Sequence, residues 1–402
     1  MRYRRGVFAL GVVGLTATVL PILGVGSASA DYAPQPGDIV GVGGDTPQYA
    51  LQFAADGDTA GAAGFNGAGN KNRLVAFSAT PDANGRSAYT NSVTTGAASV
   101  ALNPTDVLRA GTHPVQRVSS SGSAITALLD DTNSPEVINY VFSASLPTPT
   151  QQATAASNGW GYLHVVEIGN DAVEIAADGA STNAPAGLSA QDLLDIYTGA
   201  DTTWNELPGN SGGSTATIVP LIPPSGSSIY KTFIADLTTA NGGTAPTLST
   251  SVKTVEQNDP SVITGSSSSA NAIVPFSAAR LSLWNSGYFY NPADSFGQAG
   301  SPFPLPPATS SPLTPGVSLL AGAVPGGGTV YDSLITDYVI FRQSDAASTT
   351  PFEPGSALNW VQALFSYPAA PSIAWFDSGA GQALVAASGV TPAYDDLGDA
   401  ES

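Results

Sequence analysis

The stretch that decides the fold is TIVPLIPPSGSSIYKTFIADL, residues 217–237. An apolar run comes first, a turn of small residues follows at 225–228, and an apolar stripe at helical spacing then continues from Ile229 to Leu237. This order predicts a strand, a tight turn and an amphipathic helix whose buried stripe includes Phe233 and Ile234.

Residues 38–57, DIVGVGGDTPQYALQFAADG, repeat this plan. A short apolar strand leads into a glycine turn, and Asp45 or Thr46 can cap the helix that follows. Pro47 suits the first helical position, and Gly57 ends the helix. A second strand, turn and helix are therefore expected here.

The plan occurs again at residues 115–131, VQRVSSSGSAITALLDD, where 119–123 form the turn and Ile125, Leu128 and Leu129 recur at helical spacing. A fourth helix is predicted over 189–199, because Ser189 and Asp192 form a capping box and Gly199 closes it. Strands that alternate with helices indicate an α/β fold.

Composition excludes several classes of protein. Of 402 residues, 44 are Gly and 31 are Pro, too many for a helical bundle, whereas a hydrophobic content of 42% is that of a folded chain. Only 12 Lys and Arg stand against 31 Asp and Glu, which excludes a general nucleic-acid binder and disfavours adsorption to anionic membranes. There is no cysteine, so disulfides and thiolate sites are excluded.

The first 30 residues read as a secretory signal. Arg2, Arg4 and Arg5 precede an apolar run, and the sequence ASA before Asp31 fits cleavage after Ala30. Cleavage leaves nine cations and 31 acids, a net charge of −22. We expect a secreted, extracellular protein without a lipid anchor, because no cysteine follows the signal.

Enzyme chemistry has little support. Histidine occurs only at His113, read as an exposed turn residue, and at His164, read as a strand residue, and no G-x-S-x-G elbow is present. Glu167, Asp171 and Glu174 could mimic a pair of glycosidase carboxylates, but a solvated strand face explains them more simply. We therefore expect no enzyme activity, no metal site and no cofactor.

Gly and Ser turns at helix N-termini offer free backbone N–H groups, hydroxyls and the positive end of a helix dipole. A single such turn usually does no more than cap its helix. Three in one chain favour a binding site for a small oxyanion or polar solute, because open α/β folds gather these loops at the carboxyl ends of their strands.

The order of these motifs resembles the phosphate-binding-protein-like family of extracellular solute-binding proteins from high-GC Gram-positive bacteria. The similarity covers nearly all of the chain after the signal, and its most specific part is residues 188–209, LSAQDLLDIYTGADTTWNELPG. The other similar segments are GVGGDTPQYALQF, SSSGSAITALL, VINYVFSAS, IVPLIPPSGSSIYKTFI, NAIVPFSAARLSLWNSGYF and SIAWFDSGAGQALVAASGVTPAYDDL.

The resemblance implies a two-lobed periplasmic-binding-protein-like fold of type II, with a ligand cleft between the lobes. Lobe 1 would comprise residues 31–164 and 276–402, with a Pro-rich insertion at 301–316, and lobe 2 residues 165–275. The implied partners are phosphate or another small solute and an ABC permease, and the protein would be a monomer. The ligand-facing positions implied by correspondence are Asp45, Thr46, Ser120, Ser121, Gly226, Ser227 and Ser228.

The chain also departs from the family pattern. The arginine that usually precedes the third turn is replaced by Pro223 and Pro224, and the acid that accepts a proton from phosphate corresponds to a position near Ala144. Losing the guanidinium removes a bidentate contact. Arg117 and Lys231 lie beside two of the turns and either compensate for this loss or are ordinary surface cations.

Two functions follow from these observations. The first is an exported solute-binding protein that captures phosphate or another oxyanion by closure of its lobes. The alternative is an extracellular or cell-envelope structural or adhesive protein that keeps the fold without binding phosphate. A polar cleft with Thr46, Ser120 and Ser227 favours the first, whereas a cleft plugged by Tyr230 or Ile229 favours the second.

Overall fold

A computed structural model describes residues 34–286 and 316–402, apart from Thr59, Ser78, 80–104, Pro114, Ser119, 134–135 and 369–371. The predicted signal segment 1–30 and residues 301–315 of the Pro-rich insertion lie outside the described residues.

Strands and helices alternate along much of the described chain. The strands are β1 Ile39–Gly43, β2 Leu74–Ala76, β3 Thr105–Asp106, β4 Val115–Gln116, β5 Tyr140–Ser143, β6 Leu163–Asp178, β7 Val219–Ile222, β8 Lys253–Thr254, β9 Ala272–Ser277, β10 Val317–Leu319, β11 Ser333–Arg342 and β12 Thr391–Gly398. The α-helices are α1 Gln48–Asp56, α2 Ser121–Asp130, α3 Pro149–Ser157, α4 Ala190–Thr198, α5 Ser228–Ala240, α6 Ser261–Thr264, α7 Ala278–Asn285, α8 Gln343–Ala346, α9 Trp360–Leu364 and α10 Gly379–Ala387.

The main sheet has two parallel parts joined by antiparallel strands. Its order is β2-β1-β5-β11-β6-β9-β7-β8, and β10 and β12 also pair with β6. The β2-β1-β5 triplet is parallel, and so is the β9-β7-β8 triplet. Between them, β11 and β6 run antiparallel to each other and to the strands beside them. We call the β2-β1-β5 side the first lobe and the β9-β7-β8 side the second lobe.

Each lobe has its own hydrophobic core, and β6 and β11 take part in both. In the first lobe, Leu51 and Phe142 pack with Val166 of β6 and Val339 of β11. In the second lobe, apolar side chains of α4, α5 and β9 pack with the far ends of the same two strands, at Val173 and Ile335. The predicted α/β fold with two lobes is confirmed.

Local signals place several helices as predicted. Ser189 and Asp192 form the capping box of α4, and Gly199 ends this helix in the left-handed conformation with φ of 84°. Helix α5 buries Ile229, Phe233 and Leu237, as its stripe predicts, whereas Ile234 is only half-buried. Where the helical spacing of apolar residues coincides with a good cap, local sequence determines both the face and the ends of the helix.

The start of α1 differs from the prediction. Neither Asp45 nor Thr46 caps this helix: Pro47 occupies the N-cap position, and no side chain bonds to the first turn. The reason is that both side chains bond to groups distant in the sequence, Thr46 to Ser228 and Asp45 to Arg280 and Asn258.

The predicted strand before the second turn is present as β4, which pairs with β3 in a two-stranded sheet separate from the main sheet. One further expectation is wrong. The predicted solvated face of β6 fails at Asp171, which is 2% exposed, because this strand lies in the middle of the sheet and is covered by α7.

Candidate functional site

Two of the Gly/Ser turns meet between the lobes. The first turn, residues 44–47, follows β1, and the third turn, residues 225–228, follows β7. The Thr46 and Ser228 hydroxyl oxygens lie 2.7 Å apart, within hydrogen-bond distance. Since β1 belongs to the first lobe and α5 to the second, this contact joins the lobes at the carboxyl ends of their strands.

The second turn, residues 120–122, packs directly on the first turn. A Cβ atom on Gly44 would lie 3.1 Å from the Ser121 hydroxyl and 3.2 Å from its backbone nitrogen, so glycine permits this close approach. The buried Ser121 hydroxyl accepts the Ala144 N–H at 2.8 Å, which fixes the loop after β5. Ser120 caps α2 by accepting the Ser123 N–H at 3.3 Å.

The third turn is ordered by its own hydrogen bonds. Ser227 is the N-cap of α5, and its hydroxyl accepts the Tyr230 N–H at 3.1 Å. The Ser227 N–H donates to the Pro224 carbonyl at 2.9 Å. Gly226 is exposed, and a Cβ on it would meet nothing within 4 Å. The turn therefore presents backbone and hydroxyl groups on a fixed frame.

Together these turns place the N-termini of α1, α2 and α5 around one region. The first N–H groups of each helix have no acceptor within the helix, and the helix dipoles add a partial positive charge there. Hydroxyl groups of Thr46, Ser121 and Ser228 lie in the same region. Such a group of donors suits an oxyanion without a full positive charge.

A buried ion pair anchors the first turn. Arg280 of α7 donates to the Asp45 carboxylate and to the Asp45 carbonyl, each at 3.0 Å, and its guanidinium lies 4.2 Å from the centre of the Tyr49 ring. Asn258 donates to the other Asp45 carboxylate oxygen at 2.8 Å. Asp45 is 2% exposed and Arg280 is 3% exposed, so the Asp45 carboxylate is buried against Arg280 and Asn258.

Asn258 and Arg280 are site residues that the sequence analysis missed. Among the described residues Asn258 is the only non-glycine residue with positive φ, at 55°, and its side chain also accepts the Ser277 N–H at 3.0 Å. Strained backbone of this kind is typical of ligand clamps. The turn-forming order Asn258-Asp259-Pro260 was the one local signal. Arg280 had none, because its partner is 235 positions away in the sequence.

The two cations considered as compensating charges lie in different surroundings. Arg117 forms an ion pair with Asp106 at 2.6 Å, beside the two-stranded sheet. Lys231 is exposed on the first turn of α5. Near the position of the family's acid, the Ser143 hydroxyl donates to the Ser145 carbonyl at 2.6 Å, and Ala144 offers no carboxylate.

Neither histidine belongs to a nucleophile–base pair in the described residues. His113 is exposed, and the His164 ring nitrogens lie 2.7 Å from Gln343 Oε1 and 2.6 Å from Asp396 Oδ1. The described part of the chain contains no group of three His, Asp or Glu side chains suited to a metal ion. Within the same part, no helix has the length and apolar character needed to cross a membrane.

Comparison with known proteins gives one family and several solved structures. A family model described as a PBP superfamily domain matches residues 76–319, more than half of the chain. No curated protein matches the sequence.

The chain is similar in structure to an ABC-type phosphate transport receptor from Vibrio cholerae, with 14% identity, a TM-score of 0.36 and coverage of 69% of this chain and 88% of that one. It is also similar to PstS from Borrelia burgdorferi, with 12% identity, a TM-score of 0.39 and coverage of 88% of this chain and 98% of that one. A third similar structure is a high affinity periplasmic phosphate-binding protein bound with phosphate, with 17% identity, a TM-score of 0.44 and coverage of 88% of this chain and 90% of that one.

Proposed function

The chain belongs to the PBP superfamily, and from that premise we propose that it is an exported solute-binding protein that captures phosphate or another small oxyanion between its lobes. The observation that carries the proposal is the 2.7 Å contact between the Thr46 and Ser228 hydroxyl groups, which brings the first and third turns together. An oxyanion held there would receive hydrogen bonds from both lobes and would favour their closure.

The proposed ligand contacts are hydroxyl and backbone N–H groups. Of the two candidates in the first turn, the structure favours Thr46, because the Asp45 carboxylate already bonds to Arg280 and Asn258. The remaining proposed contacts come from the N-termini of α2 and α5: Ser120, Ser121, Gly226, Ser227 and Ser228. Lys231 is the proposed counter-charge, since Arg117 is paired with Asp106.

The alternative of a structural or adhesive protein predicted a cleft plugged by Tyr230 or Ile229. Ile229 is completely buried in the core of the second lobe, and Tyr230 packs against the same core. These side chains therefore pack α5 onto the core of the second lobe. They are used in that core and not as a plug, which supports the solute-binding function.

Further parts of the proposal concern the setting of the protein. The structures named above include receptors for phosphate transport, and we propose that this chain likewise serves an ABC permease, as a secreted monomer released after Ala30. The proposed lobe boundaries are 31–164 and 276–402 for lobe 1 and 165–275 for lobe 2, with the qualification that β6 and β11 contribute side chains to the cores of both lobes.

Calorimetric titration with phosphate tests the proposal, after bound ligand has been stripped by unfolding and refolding. We expect a Kd of about 1 μM or tighter, which corresponds to about −8 kcal/mol. Thr46→Ala and Ser228→Ala should each weaken binding by about tenfold, the value of one hydrogen bond of about 1.4 kcal/mol. Thr239→Ala, at the opposite end of α5, is the matched control and should bind as the wild type does.

Two outcomes would count against the proposal. Absence of both heat and thermal stabilisation at millimolar phosphate would remove phosphate as the ligand, and sulfate and arsenate would then be titrated in the same way. Equal affinity in Thr46→Ala and Thr239→Ala would show that phosphate binds elsewhere.

A further inference from the structure

Two strands, β6 and β11, connect the lobes, and each carries a buried aspartate at the point where it passes from one lobe to the other. We call this point the crossing. The aspartates are Asp171 of β6, 2% exposed, and Asp337 of β11, which has no exposed surface. The apolar side chains on either side of each aspartate belong to the cores of different lobes: Ile168 and Val173 around Asp171, and Val339 and Ile335 around Asp337.

The surroundings of Asp337 disfavour a negative charge. Neither of its carboxyl oxygens has a hydrogen-bond partner among the described residues. A carboxylate that is removed from water without donors is strongly disfavoured relative to the neutral acid. Burial accordingly raises the pKa of Asp337 well above its usual value, and the nearby charge of Asp171 raises it further.

Asp171 differs from Asp337 because it has donors. The Ser277 hydroxyl donates to one of its oxygens, and the Ala279 N–H donates to the other at 2.9 Å, so Asp171 holds the start of α7 against β6. Burial raises the pKa of Asp171 to about 6, against the lowering effect of these bonds and of Arg280. The donors around Asp171 favour its ionised form, whereas burial without donors favours the neutral form of Asp337.

The other charged or titratable groups near the pair lie on the same strands, on α7, in the first turn, where Asp45 pairs with Arg280, and just before β11 at Asp332. Arg280 lowers the pKa of Asp171, whereas Asp171 raises the pKa of Glu174 and Asp337 raises the pKa of Tyr338. The described residues gather no third acid or histidine with the pair, as a divalent cation would require. A proton is thus the species that fits the unpartnered carboxyl group.

We propose that Asp337 carries a proton while the lobes are closed and releases it when opening admits water to the crossing. The inference rests on the lobe closure of the proposed function, and it adds that closure is linked to pH. Acid then favours the closed form, and each rise of one pH unit shifts the equilibrium toward the open form by up to tenfold, the limit for one proton.

The first test compares the pH dependence of unfolding by urea in the wild type and in Asp337→Asn, whose amide imitates the neutral acid. The folded pKa of Asp337 is raised, so the wild type should lose stability relative to the variant as pH rises above about 4, the value in the unfolded chain. The difference should approach tenfold in the unfolding constant per pH unit. Asp130→Asn, at an exposed position on α2, should show no such trend.

The second test measures opening directly. The natural chain has no cysteine, so Lys71→Cys and Lys253→Cys, both exposed and on different lobes, can carry a pair of spin labels. Without ligand, the population at long distance should grow between pH 5 and pH 9 in the wild-type background and stay constant with Asp337→Asn. Asp337→Leu, which likewise has no carboxyl group to titrate, should behave as Asp337→Asn does.

The outcomes separate this inference from the proposed function. Parallel stability curves for the wild type and Asp337→Asn would show that Asp337 does not titrate and would overturn the inference. Distances that do not change with pH would overturn the link to opening. Both measurements are made without phosphate, so a protein that binds no phosphate can still pass them.

Discussion

The hydrogen bonds around His164 predict a stability that depends on pH. His164 Nε2 lies 2.6 Å from Asp396 Oδ1, and Nδ1 lies 2.7 Å from Gln343 Oε1, so both ring nitrogens face acceptors and the doubly protonated ring is favoured. The Ser366 hydroxyl donates to the other Asp396 oxygen. Because Asp396 lies on β12 and His164 on β6, the pair fastens the last strand to the sheet.

The substitution Asp396→Asn removes the charge from this pair and keeps its shape. A hydrogen bond between charged groups contributes about 1.5–3 kcal/mol to stability. The Asp396 side chain is 38% exposed, and solvent screening reduces that contribution. We therefore expect the free energy of unfolding to fall by about 1–2 kcal/mol near pH 6.

The loss should vary with pH in a defined way. Burial opposes protonation of His164, but its hydrogen bonds to Asp396 and Gln343 outweigh burial and raise its pKa above 6.5. The stabilisation is complete below 6.5 and is lost as pH rises through the folded pKa. Burial likewise opposes ionisation of Asp396, but the bonds from His164 and Ser366 lower its pKa below 3.8, so the contribution is also lost as pH falls through that folded value.

Urea unfolding of the wild type and Asp396→Asn from pH 3 to pH 9 measures this effect. The difference between them should reach a plateau between about pH 4 and 6.5 and shrink on both sides. Asp395→Asn removes the same charge from the neighbouring exposed position and should lose less than about 0.5 kcal/mol. A difference that is flat over the whole range, or equal in the two variants, would refute the reasoning.

Two further predictions concern the turns and caps. Gly44→Ala should weaken phosphate binding by about tenfold, or about 1.4 kcal/mol, because the new Cβ forces Ser121 away. The control is Gly122→Ala, where a Cβ would meet nothing within 4 Å, and it should leave the calorimetric affinity unchanged. Ser189→Ala removes the acceptor of the Asp192 N–H at 3.1 Å and should lower the free energy of unfolding by about 1 kcal/mol in urea, whereas Gln191→Ala on the exposed face of α4 should not.

The features that the sequence predicted well are local in the chain. Helix α4 is an example, since its cap at Ser189, its buried face and its end at Gly199 all lie within eleven residues. The third turn is another, because the apolar strand, the small residues and the helical stripe follow each other directly. The family model, which matches residues 76–319, agrees with the family inferred from these motifs.

The features that escaped prediction depend on contacts between distant segments. Asp45 reads as a helix cap, but its partner Arg280 reaches it only after the chain has traversed the second lobe and returned. Asp171 alternates with apolar neighbours as a solvated residue would, yet α7 covers it, and the Ser277 hydroxyl and the Ala279 N–H at the start of that helix donate to it. Alternation along a strand shows which residues share a face, but not what lies against that face.

The same distant contacts would let a strongly acidic chain bind an anion at the proposed site. Asp45 would repel a ligand at the first turn, but Arg280 neutralises it inside the protein, and Asn258 holds the other oxygen. What remains toward the ligand is the set of helix N-termini and hydroxyl groups, whose positive potential is short in range. The proposed oxyanion site would select by the geometry of its hydrogen bonds. Burial of the first-turn carboxylate would then be a condition for binding, and the ion pair with Arg280 would belong to the proposed site as much as the turns do.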